Sequence, residues 1–144
     1  MIESLESHSA GAYSGRGQVY AEMGEFELAL PDMQRAVELA RDSDRGCLPY
    51  SLSGLGKSLT GLGRLEEADA AFRESLSLEP ENAWLQFNRG LFFMAKHEPQ
   101  HARMCFELAL RLTKPALSPR KKAKAQGFVD RMKTEEQSTA DLPL

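Results

Sequence analysis

The chain is short of cysteine, with two in 144 residues, Cys47 and Cys105. Two thiols so far apart neither build a disulfide framework nor match a zinc-finger spacing, and free thiols suit a reducing compartment. No apolar run approaches the roughly 18 residues needed to cross a bilayer. The opening Met1–Glu6 lacks both the basic and the apolar segment of a secretory signal, so the expectation is a cytoplasmic protein without membrane contact. Excess positive charge is missing too: Lys and Arg number 18 against 21 Asp and Glu. Nucleic-acid binding calls for a basic domain with interleaved aromatics, so no nucleic-acid partner is expected. There is no strand signal.

What is present is helical periodicity broken by glycine and proline. A first helix is expected from about Ser9 to Met23, closed by Gly24, and a second from about Glu25 to Ala40. Pro31 lies inside the second and predicts a kink or a late start, because it removes a backbone donor. Further helices are expected from about Cys47 to Leu62, Leu65 to Leu78, 82 to 95 and Pro99 to Thr113. Glu66 and Glu67 suit the start of the fourth, where the helix dipole favours negative charge. Asn82 and Ser118 are candidate N-caps, and Pro119 opens a last helix reaching about Met132. Residues 1–8 are expected to be flexible and 134–144 to be a disordered acidic tail.

The net charge of −3 conceals a division. Residues 1–82 carry 7 basic and 15 acidic side chains, and residues 83–133 carry 11 and 3, which reads either as an uneven solvated surface or as a basic end that attracts an acidic partner segment. Superposed on the helices is a repeat. Gly56 and Gly90, Ala68 and Ala102, and Phe72 and Phe106 each stand 34 residues apart. Gly17, Ala29 and Ala36 carry the pattern into the first hairpin, with a link five residues longer. Small residues at those places let two helices approach closely, and Tyr20, Leu59 and Phe93, with Met33, Phe72 and Phe106, fill the space around each crossing.

That period and pattern resemble the tetratricopeptide repeat family. The resemblance implies an all-α fold, an α-solenoid of three helix–turn–helix hairpins with a C-terminal capping helix, seven helices in all. It covers a domain over 9–133: repeats at about 10–43, 49–82 and 83–116, and a cap at 118–133. A cap needs one apolar and one wet side. Ala123, Phe128, Val129 and Met132 supply the first, and Arg120, Lys121, Lys122 and Lys124 the second.

No constellation argues for an enzyme. His97-Glu98-Pro99-Gln100-His101 matches the zinc-protease string H-E-x-x-H, which works only on a continuous helix. Here Pro99 intervenes and the repeat register puts the string in a turn, so neither a metal nor any other cofactor is expected. Cys105 stands beside Phe106 and is read as a small buried hydrophobe.

The family implies a non-enzymatic interaction module, an adaptor, scaffold or co-chaperone-like protein whose first helices line a groove for a partner's peptide or helix. Carried over residue by residue, the groove positions of this chain include Tyr50 and Lys57, then Trp84, Phe87, Asn88, Leu91 and Met94, with Lys121 and Lys122 from the cap. The family's grip on a terminal carboxylate is incomplete: in the better register Asn88 fits, Lys122 substitutes for another basic residue and Lys57 replaces an asparagine. Trp84, Phe87, Leu91 and Met94 lie at i, i+3, i+7 and i+10, which reads either as an apolar site for a segment carrying acidic groups or as packing against the next hairpin. The alternative function is a self-associating structural solenoid, or a fragment of a larger scaffold, so a homo-oligomer stays open.

Overall fold

The structure, a computed structural model, describes residues 9–113 and 116–140. The segment expected to be flexible, 1–8, and the end of the expected tail, 141–144, lie outside the described residues. Among those described there are seven α-helices and no strand: α1 Ala10–Glu22, α2 Phe26–Ser43, α3 Leu48–Gly61, α4 Leu65–Leu78, α5 Ala83–Ala95, α6 Pro99–Arg111 and α7 Pro119–Ala140, with a 3-10 turn at Arg45–Cys47 before α3. None of the described helices is long and apolar enough to cross a membrane. The chain divides into two compact units, Met1–Pro80 and Glu81–Leu144.

The first unit holds two hairpins, α1–α2 and α3–α4, and α2 packs on α3. Each hairpin turns on a glycine in the left-handed region, Gly24 at φ 79° and Gly63 at φ 78°. Both turns close in the same way. The N–H of the residue after the glycine bonds back five residues, Glu25 to Tyr20 at 2.8 Å and Arg64 to Leu59 at 2.9 Å. The repeat positions form the crossings. A Cβ on Gly17 would lie 3.0 Å from Met33 Cε, and one on Gly56 would lie 2.8 Å from the Phe72 ring. Gly54 and Gly61 do the same for the α2–α3 contact, against Met33 and Phe26. Ala29, Ala36 and Ala68 are fully covered. Arg16 forks onto Asp32 at 2.7 and 2.6 Å across the α1–α2 crossing, where Asp32 is buried. Arg41 grips Glu74 at 2.6 Å with both terminal nitrogens.

α2 begins at Phe26 and runs through Pro31, so it does not start late. The proline is exposed, on the solvent side of the helix. There the carbonyl it leaves without a partner can be hydrated, which removes most of the penalty of an interior proline.

The second unit holds the α5–α6 hairpin and α7, which packs on α6. Its core is Ala83, Phe87, Ala102, Phe106, Ala109, Leu117, Ala125 and Val129. Phe106 is the hub: its ring lies 5.5 Å from Phe87 and edge-on to Phe128 at 5.1 Å. A Cβ on Gly90 would come within 2.6 Å of it. The α5–α6 turn repeats the glycine turns of the first unit with His97 in the glycine's place, at φ 60°.

α7 differs from expectation in two respects. Ala123, expected on its apolar side, is exposed, and Ala125 takes that place in the core. The sequence also ends the helix at 133 and makes residues 134–144 a disordered tail, whereas the helix continues to Ala140. The cause is polar. Arg103 on α6 binds Glu107 at 2.8 Å and reaches Glu136 at 2.5 Å, tying the extra turns to α6. Thr134 and Thr139 each donate to the carbonyl four residues back at 3.0 Å. A hydrophobic pattern carries no trace of such ties.

Candidate functional site

Asn82 sets the start of α5. Its side-chain oxygen accepts the N–H of Trp84 at 3.0 Å and of Leu85 at 3.2 Å, satisfying two of the helix's orphan donors. This cap fixes the turn that carries Trp84, which is half-buried. From α7, the Lys121 ammonium stands 5.5 Å from the Trp84 ring centroid. A cation over an indole face is held by the ring's quadrupole, worth about 0.5–1 kcal/mol at an exposed site. Arg120, Lys122 and Lys124 neighbour it in sequence, all exposed and, among the described residues, without an ion pair.

The sequence-predicted positions separate into two groups. Trp84 and Met94 remain accessible on α5, Met94 at 39% exposure, roughly 15 Å apart along the helix. Phe87 does not remain so: at 3% exposure it is a core residue, and Leu91 packs on the same core half-buried. An apolar stripe at i, i+3, i+7 is also what a core seam looks like. Burying a phenylalanine ring against Phe106 is worth about 1.5–3 kcal/mol, which settles where Phe87 goes. Asn88 is covered too, at 1% exposure.

Lys122 is exposed, yet it is Lys121 that stands against Trp84. The family's groove register offers both lysines, and its carboxylate grip points to Lys122; which of the two meets the indole depends on the rotation of α7 about its axis, which hydrophobic spacing fixes only coarsely. In the first unit, Tyr50 at 37% exposure and the half-buried Lys57 lie seven residues apart on α3, and so on one side of it.

The histidine string does not form a metal-binding helix face. His97 is in the turn, Pro99 is the first residue of α6, and His101 is inside that helix, its ring 5.1 Å from Phe93. Both cysteines are free. Cys105 is buried, and burial pushes its thiol up. The Cys47 thiol is raised chiefly because it donates a hydrogen bond to Asp44 at 3.1 Å. Neither is poised as a thiolate nucleophile.

The geometry defines an all-α protein of stacked helical hairpins. The family comparison agrees: the tetratricopeptide repeat matches residues 8–80, just over half of the chain, and the chain belongs to that family. Among solved structures, the Sgt2 TPR domain from Aspergillus fumigatus is similar with a TM-score of 0.69. The identity is 16%, over 94% of this chain and 85% of that one, so the likeness is one of fold.

Proposed function

We propose that this chain is a protein-interaction module, an adaptor acting in the cytoplasm, whose second unit captures an acidic segment of a protein partner. The observation that carries the reading is the half-buried Trp84 with Lys121 over its ring, on a helix start that also bears the exposed Arg120, Lys122 and Lys124. The indole offers an apolar anchor and the cations offer charge for carboxylates, the pairing found at binding hot spots. Met94 extends the apolar lining along α5, and Asn88 is covered on the same helix. Phe87 and Leu91 support the face from the core. In the first unit, Tyr50 and Lys57 supply a contact of their own on α3.

The test is fluorescence anisotropy with a labelled synthetic peptide made of glutamates around one leucine. Trp84→Ala, and separately Lys121→Glu with Lys122→Glu, are expected to weaken binding about tenfold or more. Raising salt weakens the wild type but not the charge-reversed variant. If both variants bind as the wild type does, with unchanged circular dichroism, the reading fails.

One observation favours self-association as a second reading. Gly11, Gly15, Val19 and Met23 form an exposed stripe along α1 and its C-cap, with Val19 at 55% and Met23 at 67% exposure. Light scattering over a range of concentration decides it: a constant monomer mass removes this alternative.

A further inference from the structure

Ser118 is exposed and caps α7. Its carbonyl accepts the Lys122 N–H at 2.9 Å and its Oγ accepts the Lys121 N–H at 3.4 Å. It opens the string Ser118-Pro119-Arg120-Lys121, the one place in the sequence where proline follows a serine or threonine. The residues leading into it, 116–118, belong to no helix. A proline holds the residue before it in extended backbone. An exposed serine just outside a helix, a proline directly after it and a basic residue two further on are the features a proline-directed protein kinase reads. We infer that Ser118 is a phosphorylation site for such a kinase, and that its phosphate switches the basic turn of α7 from receiving an acidic segment to holding its own anion.

In the transfer, Ser118 Oγ forms a bond to the γ-phosphorus of a nucleoside triphosphate held by the kinase. The bond from that phosphorus to the β-phosphate oxygen breaks, the diphosphate leaves with the electron pair, and the hydroxyl proton passes to the kinase's catalytic carboxylate. The product suits its surroundings better than the serine does. The first turn of α7 carries no acidic residue, and Arg120, Lys121, Lys122 and Lys124 crowd the helix end where the dipole disfavours cations. A phosphoserine there brings about −1.5 to −2 charges among them. The same charge removes what an acidic partner segment would bind. This switching half rests on the acidic-segment reading above; the modification itself does not.

The test treats the full chain with a proline-directed kinase and magnesium ATP, then reads intact mass and maps the peptides. One phosphoryl group on Ser118 is expected, and none in Ser118→Ala or in Pro119→Ala, which keeps the hydroxyl but loses the directing ring. No incorporation into the folded wild type, incorporation at another residue, or equal incorporation in Pro119→Ala overturns the assignment. The phosphorylated protein is then titrated with the glutamate–leucine peptide, and a loss of affinity of about tenfold is expected. Unchanged affinity overturns the switch. Should the peptide fail to bind even the unmodified chain, the acidic-segment reading falls. The phosphate's seat on α7 is then judged by amide exchange at residues 120–122: slower exchange upholds it and unchanged exchange refutes it.

Discussion

Gly90→Ala isolates the close approach on which the second unit is built. The new Cβ would meet Phe106 Cε1 at 2.6 Å, where ordinary van der Waals contact begins at 3.4 Å, so the ring must retreat by roughly 1 Å. It has little room, being wedged between Phe87 and Phe128. Overpacking of this kind costs about 2 kcal/mol. Against it stands the better helix propensity of alanine, about 1 kcal/mol. The net expectation is a loss of about 1 kcal/mol. Gly15→Ala on α1 is the mirror case: its Cβ would meet nothing within 4 Å, so only the propensity gain of about 1 kcal/mol remains. The aromatic residues allow both to be read in one protein. The single tryptophan, Trp84, lies in the second unit, and all three tyrosines, Tyr13, Tyr20 and Tyr50, lie in the first. Urea melts monitored by tryptophan emission for Gly90→Ala and by tyrosine near-ultraviolet dichroism for Gly15→Ala are expected to shift in opposite directions. Combining Gly90→Ala with Phe106→Leu is expected to cost less than the two changes summed, because the smaller side chain leaves space for the methyl. If Gly90→Ala stabilises as Gly15→Ala does, the close-approach argument is wrong.

Asp32→Ala leaves the Arg16 guanidinium without its forked partner at the α1–α2 crossing, and a loss of about 2 kcal/mol is expected in the tyrosine-monitored melt, with Asp32→Asn losing less. His97→Gly relieves a side chain held at φ 60° and is expected to stabilise the second unit by about 0.5 kcal/mol, the relief of strain exceeding the greater chain entropy of glycine; an unchanged or earlier tryptophan-monitored midpoint contradicts this. Arg103→Ala is expected to leave α7 helical up to about Met132 and to speed amide exchange over residues 133–140, since Arg103 carries the ion pair that ties those turns to α6.

The sequence speaks clearly where sterics permit only one kind of residue. Gly56 over Phe72 and Gly90 over Phe106 leave no room for a side chain, so the spacing of 34 residues is visible as repeated glycine, alanine and phenylalanine. Gly24 and Gly63 are legible for a related reason: each turn needs a left-handed residue, which glycine supplies most readily. His97 shows the limit of that logic, because a histidine can occupy the same conformation at a cost and so hides the third turn from a search for glycine. The last turns of α7 are hidden more completely. They are held by Arg103 and Glu136, two residues whose types are common on any solvated surface, so that nothing in their chemistry marks them as partners.

The candidate site lies between these extremes. Its tryptophan could be picked out because a lone indole at the first turn of a helix is conspicuous, but which stripe residues stay exposed depends on the packing of α6 and α7. Phe87 and Leu91 share the helical spacing of Trp84 and Met94, and only the placement of Phe106 and Val129 draws the first pair inward and leaves the second outside. The same packing turns α7 so that Lys121, not Lys122, meets the indole. The repeat therefore does two separate things. Its small positions build the scaffold and are read directly, whereas whether a position between them is buried or exposed comes from the rotation of the helix that holds it. Charge belongs to neither pattern: the cations at the start of α7 oppose the helix dipole, and of these Lys121 is set against the Trp84 ring of α5.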